Sequence, residues 1–360
     1  MKKAIPSLDG LRAISILFVL LGHLQLKSFH NYRIPIPIPL LFDGGFGVIV
    51  FFVISGFLIT KLLLQEESLG RGVSFKNFYI RRTFRIFPAF YFLLFVYFVL
   101  QLFSVLYFTT SSWISSIFYL KDITGWNDWE SAHFWSLGIE EHFYLAWPLV
   151  FVFSKKYRVH FAIVSILVCI FCRLNVSLKI IPFNLLSQGY SIFQKGDALM
   201  VGCLFALFET RLTNRLMPFI RLSIAPFILI FLIAFFSAEL IPDLNRDHHW
   251  HIGRIIEALN IGSSSGTFTS ILVGILILSS INSKAGWFRF LNLGPVRFVG
   301  KLSYSIYLWQ QLFFSEKMMP LSKFPINLVF IFLAACFSYF IVEKPFLRLK
   351  ARFEPSRNTN

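Results

Sequence analysis

The sequence predicts an all-α bundle of membrane-spanning helices, and three observations carry that fold class. Apolar runs of about 20 residues, enough to cross a bilayer as helix, recur from one end of the chain to the other. Only 14% of the 360 residues are charged, where soluble domains carry about a quarter, and the mean hydropathy is +0.68. The 34 Lys and Arg fall unevenly on alternate connecting segments, as the positive-inside rule asks of a polytopic protein.

The apolar runs give ten predicted spans, at 11–27, 45–64, 86–109, 139–154, 159–177, 190–209, 217–241, 265–282, 302–318 and 324–343. Lys2 and Lys3 precede the first in the manner of a signal peptide. No small-x-small site closes the run, and Arg12 and His23 are foreign to such segments, so an uncleaved helix is expected. The second span is glycine-rich. Arg81, Arg82 and Arg85 stand at the inner start of the third. The fourth is short, and SSWISSIFYL (111–120) before it cannot span, so it is expected to be re-entrant or interfacial. The fifth carries Cys169 and Cys172, whose CxxC spacing has no second ligand pair nearby; with Cys203 and Cys336 they are expected to pack rather than bind metal or form disulfides. Lys195 and Asp197 form a polar patch in the sixth, although residues two apart on a helix do not face each other. Residues 1–350 are expected to form one transmembrane domain and 351–360 a short cytoplasmic tail.

With the N-terminus inside, the inner segments hold 22 Lys and Arg and the outer loops eight. Arg12, Lys61, Arg173 and Lys195 fall within spans. This places both termini in the cytoplasm. It also accounts for most of the formal charge of +16, so no nucleic-acid partner is expected. With no long hydrophilic tail or low-complexity tract, any chemistry has to occur in or at the bilayer.

Arg12 and His23 are eleven residues apart, which puts them on one face of a helix and about 16 Å apart along it. Arg12 is then near the inner surface and His23 in the outer half. Two ionisable groups on one stripe imply a polar interior rather than lipid. A neutral imidazole there can serve as a base near neutral pH. Arg12 is equally compatible with snorkelling to the inner headgroups.

LDGLRAISILFVLLGHL (8–24), with an Arg and a His separated by ten residues, resembles the opening of the acyltransferase-3 family, whose members acylate saccharides at bacterial membranes. The resemblance continues through GGFGVIVFFVISGFLI (44–59), FYIRRTFRIFPAFY (78–91), FWSLGIEEHFYLAWP (134–148), KLSYSIYLWQ (301–310) and VEKPF (342–346), in the family's order. It implies transfer of an acyl group, most often acetyl, from cytoplasmic acyl-CoA as co-substrate to a carbohydrate hydroxyl at the outer face of the bacterial plasma (inner) membrane. The acceptor would be a saccharide or lipid-linked glycan. No permanently bound cofactor or metal is implied.

Residue by residue, the resemblance makes His23 the base or acyl carrier. Glu140 and Glu141 are adjacent, so they point about 100° apart, and one of them would orient the imidazole or the sugar. Arg82 and Arg85, three apart on one face, suit the phosphates of acyl-CoA, with Arg12 lining the inner part of the cavity. Tyr304 and Ser303 are assigned to the donor path, and Gly44, Gly45, Ser136 and Tyr144 to the acceptor side. Gly47 and Gly56 read as helix-packing positions. The chain departs from the family at His142, commonly Gln, and at Gln310, often His; the second departure removes a possible base and concentrates the chemistry on His23. DHHWH (247–251) reads as a solvated outer loop. A hydrolase-like domain that some members carry after the bundle is not expected, since the sequence ends at Asn360.

The rival function is a proton-coupled transporter or exporter of a glycan or small molecule, which also uses buried Arg, His and Glu. A membrane sensor or scaffold is the third class. Binding of CoA at Arg82 and Arg85 separates the first reading from the other two. The sequence does not size the acyl group or name the acceptor.

Overall fold

A computed structural model describes residues 5–28, 44–70, 72–125, 128–178, 191–221, 266–282 and 286–354. The described residues fold as an all-α, multi-span bundle. Its long helices begin with α1 (Pro6–Ser28), α2 (Gly44–Ser68) and α3 (Phe75–Leu102). Three short helices follow: α4 (Thr110–Ile117), α5 (Lys121–Thr124) and α6 (Trp129–Ala132). Then come α7 (Phe134–Phe153), α8 (Arg158–Leu178), α9 (Ile192–Lys195), α10 (Asp197–Leu207) and α11 (Glu209–Arg221). The chain continues through α12 (Thr267–Asn282), α13 (Gly286–Leu291), α14 (Gly294–Phe314), α15 (Ile326–Phe337) and α16 (Lys344–Lys350).

Five of the described helical stretches are long and apolar enough to cross a membrane: Pro6–Leu24, Gly44–Ser68, Phe75–Leu102, Lys155–Val176 and Ile326–Phe353. This is fewer than the ten spans expected, for identifiable reasons. Helices α7 and α14, at 20 and 21 residues, are about 30 Å long but carry polar stripes that lower their hydropathy. Helices α10 and α12 are apolar but shorter. The expected span 217–241 lies outside the described residues beyond Arg221, as does DHHWH.

Helix α2 is the central element, buried along most of its length. It can be central because glycines let its neighbours touch it backbone to backbone. A Cβ on Gly56 would overlap the Leu199 carbonyl of α10, and one on Gly202 of α10 would overlap the Val53 carbonyl of α2. Large apolar side chains point outward on the peripheral helices, including Phe95, Leu145, Leu167 and Leu333. Such a belt needs a hydrocarbon partner, which a bilayer supplies.

Several charges inside the bundle are paired across helices. Arg173 Nη2 on α8 lies 2.9 Å from Asp197 Oδ2 on α10, and Thr267 of α12 bonds to both. Asp197 therefore pairs across helices rather than with Lys195 beside it in sequence. Lys61 Nζ lies 2.6 Å from Glu209 Oε1. Arg158 bonds both oxygens of Glu67, at 2.8 and 3.0 Å.

Candidate active site

The depth of α7 organises the site. Phe134, its first residue, packs edge-on against Phe90 of α3 with ring centroids 4.9 Å apart. Helix α3 runs on for another twelve residues to Leu102, about 18 Å further. The short helices α4 to α6 fill that remaining depth. Tyr91 OH donates to the Ile117 carbonyl (3.1 Å) and Tyr97 OH to the Glu130 carbonyl (2.8 Å), fixing the short helices alongside the far end of α3. Buried Lys121 holds this layer together through Ser112 Oγ (2.8 Å) and Asp128 Oδ1 (3.1 Å). Helix α7 thus begins inside the bundle, and Glu140 and Glu141 sit about two turns deeper still.

That depth brings the two glutamates level with the arginines of α3. One cavity, with about 820 Å³ of empty space counting its open mouth, is lined by Arg12 from α1, Arg82 and Arg85 from α3, and Glu140 and Glu141 from α7. Ser55 of α2, Ser136 and Tyr144 of α7, and Ser303, Tyr304 and Tyr307 of α14 complete its polar lining. Arg82 and Arg85 lie within α3, which starts eleven residues earlier than expected, so they project into the interior rather than marking its edge. Arg81 is turned away: it pairs with Glu66 and donates to the Phe353 carbonyl (2.8 Å), tying the segment after α16 to the start of α3.

Hydrogen bonds fix the walls. Ser55 Oγ donates to Glu140 Oε1 (2.6 Å) and Tyr144 OH to Ser55 Oγ (3.3 Å). The Arg82 guanidinium lies over the Tyr144 ring, 5.2 Å from its centroid. Tyr304 OH donates to the Ile86 carbonyl (2.9 Å). Three guanidinium groups face two carboxyl groups here, and arginine keeps its charge in any protein environment. An anionic ligand with several acceptor oxygens is the chemical complement of such a lining.

His23 is not part of this cavity. The sequence placed Glu140 or Glu141 where it could hold the imidazole; in the structure Glu140 bonds Ser55, and His23 Nδ1 lies 3.2 Å from Gln310 Oε1. With Oε1 as acceptor, a proton on Nδ1 leaves Nε2 as the acceptor, the form a general base needs. Trp129 stands edge-on to the imidazole at 5.9 Å and Phe314 lies at 6.3 Å. Gly44 lies close to the α1 backbone at Val19 and Gly22, and Gly45 is exposed beside it; neither lines the cavity, whose lining on α2 begins one turn later at Val48.

Between the cavity and His23 lies a thin polar layer. Tyr307 OH is 2.6 Å from Ser136 Oγ and donates to the His133 carbonyl at 3.0 Å. His133 Nε2 donates to the Leu308 carbonyl (3.2 Å), which leaves Nδ1 as a buried acceptor with no hydrogen-bond partner among the described residues. His133 is not among the residues expected from the sequence, and Gln310 is expected there only as a lost histidine. His133, Ser136, Glu140 and Tyr144 recur at spacings of three and four, one polar face of a helix, so the signal for His133 was present. Nothing in the sequence pairs Gln310 with His23.

These features define a class: a polytopic membrane protein with an internal arginine-lined cavity and a separate histidine further along the same helix as one of its arginines. The chain belongs to the family described as Acyltransferase domain, which matches residues 5–343. It is 30% identical over 332 residues to the Bacillus subtilis (strain 168) protein named "Putative peptidoglycan O-acetyltransferase YrhL", covering 85% of this chain and 48% of the relative. It is 28% identical over 342 residues to peptidoglycan O-acetyltransferase OatA of Listeria monocytogenes serovar 1/2a (strain ATCC BAA-679 / EGD-e), covering 86% of this chain and 49% of that protein. The chain spans about half the length of the curated relatives it matches. No solved structure matches.

Proposed function

We propose that this chain is an integral membrane O-acyltransferase of the bacterial plasma membrane, with ten spans and both termini cytoplasmic, which moves an acyl group, acetyl by preference, from cytoplasmic acyl-CoA to a carbohydrate hydroxyl at the outer face. The observation that carries this is the convergence of Arg12, Arg82 and Arg85 in one interior cavity of a bundle belonging to an acyltransferase family. The names of the two relatives specify O-acetylation of peptidoglycan, which points to a saccharide acceptor here as well.

In this mechanism the phosphates of acyl-CoA bind Arg82 and Arg85, and the acyl end extends past Tyr307 and Ser136 towards His23. His23 Nε2 takes the proton of the acceptor hydroxyl as its oxygen attacks the thioester carbonyl. The carbon–sulfur bond breaks, and the proton passes to the departing CoA thiolate. Gln310 holds the ring in the reactive tautomer. Glu140, held by Ser55, and Glu141 balance the guanidinium charges and position the donor.

The test is acyl transfer in membranes at matched expression, read by mass spectrometry of surface glycans. Wild type adds the acyl mass; His23→Ala and the double variant Arg82→Gln/Arg85→Gln lose it. Full transfer by either variant would overturn the mechanism.

A further inference from the structure

The face of α7 turned away from the arginine cavity carries its own constellation. His142 is two residues beyond Glu140, about 200° around the helix. Its Nδ1 lies 3.2 Å from Oδ2 of Asp122 on α5. The Asp122 carboxylate is fully buried, and its other oxygen has no hydrogen-bond partner among the described residues. Gly138, one turn before His142, makes room for it, since a Cβ there would press 2.6 Å from Asp122 Oδ1. A buried carboxylate that accepts from one imidazole nitrogen fixes that nitrogen as the donor and leaves the other as a proton acceptor.

His142 borders a second cavity of about 540 Å³ of empty space, open mouth included, whose other walls are Ile123, Ile192, Phe193 and Ser191. Ser191 is 4% exposed. It stands at the N-cap position of α9, where a serine normally bonds the first turn. Here its side chain makes no cap bond, and Oγ has no hydrogen-bond partner among the described residues. Burying a hydroxyl without a partner is costly. One hydroxyl, one carboxylate-held imidazole and apolar walls share this small space. These are the groups from which an activated serine nucleophile is built, with room for an apolar chain; Ser191 Oγ is not hydrogen-bonded to His142 in the structure, and that bond would have to form as the ester binds.

We propose that Ser191, His142 and Asp122 form a second acyl-handling site, distinct from the arginine cavity, that reacts with carboxylic esters bearing an apolar chain. Ser191 Oγ attacks the ester carbonyl while its proton passes to His142 Nε2. The ester carbon–oxygen bond breaks, and the proton moves on to the departing alkoxide, leaving acyl-Ser191 and a free alcohol. Water attacks the acyl-serine with the same imidazole as base, releasing the carboxylic acid and restoring the hydroxyl. A Gln at position 142 could not take that proton, so the chemistry requires the histidine. The proposal does not rest on acyl-CoA binding at Arg82 and Arg85.

The test uses the full chain in detergent with an alkyl fluorophosphonate, followed by peptide mass spectrometry. Reaction forms an Oγ–phosphorus bond and expels fluoride. The expected result is a single adduct on Ser191. Its formation should slow by about 10²-fold or more in His142→Gln, the loss expected when a general base is removed. Saturating CoA should leave the rate unchanged, because the arginine cavity is separate. Absence of an adduct on Ser191 in the wild-type protein overturns the proposal, and this result requires no variant to fold. An adduct that forms equally fast in His142→Gln overturns it as well.

Discussion

The arginine cavity and the histidine layer beyond it share helices α1, α7 and α14, yet they solve opposite problems. The cavity is charged, with three guanidinium and two carboxyl groups around an open volume. The layer is buried and held by carbonyl acceptors: Gln310 on His23, Leu308 on His133, and the His133 carbonyl on Tyr307. Charge recognises a polyanion, and it needs space for that ligand. A proton acceptor needs a neutral ring in a fixed tautomer, which uncharged acceptors supply without turning it into a permanent imidazolium. In the proposed mechanism this contrast separates binding from chemistry along the bundle axis, by about 16 Å between Arg12 and His23, with Tyr307 and Ser136 at the divide.

This division can be broken from either side. The largest effect is expected from His23→Ala, which should cut acyl transfer by about 10²–10⁴-fold while leaving CoA binding to solubilised protein unchanged by calorimetry. Arg82→Gln and Arg85→Gln should do the reverse. Each charge-assisted hydrogen bond lost is worth about 1.5–3 kcal/mol, so KM for acyl-CoA should rise about tenfold or more per guanidinium, with a weaker salt dependence and little change in kcat. Gln310→Leu should lower kcat about tenfold by freeing the imidazole, with KM for the donor unmoved. Tyr307→Phe sharpens the comparison at the boundary. It removes a hydroxyl bonded to the histidine layer, so a loss of about two- to threefold in kcat is expected, and an effect confined to donor KM would move Tyr307 into the binding half.

Much of this was legible in the sequence, because it depends on local periodicity. The shared face of Arg12 and His23 and the Arg82–Arg85 pair follow from helical spacing, and the packing role of Gly56 from its lack of a side chain. The depth of α7 was not legible. The sequence read 139–154 as a short span starting at the outer surface, which separated the glutamates from the arginines. The short helices of 110–132 occupy that depth instead, and only the Tyr91 and Tyr97 hydrogen bonds reveal it. Pairings between distant residues were equally hidden. His23 meets Gln310 across 287 positions, Arg173 meets Asp197 across 24, and His142 meets Asp122 across 20. Each is set by how helices pack, not by the spacing within one.

The central claim is that a single donor molecule bridges the two regions. A cryo-electron microscopy map of the full chain in lipid nanodiscs with bound CoA tests it most directly. Phosphate density is expected at Arg82 and Arg85, with the pantetheine arm passing Tyr307 and its thiol directed at His23. CoA bound away from these arginines, or with its thiol directed away from His23, would contradict it.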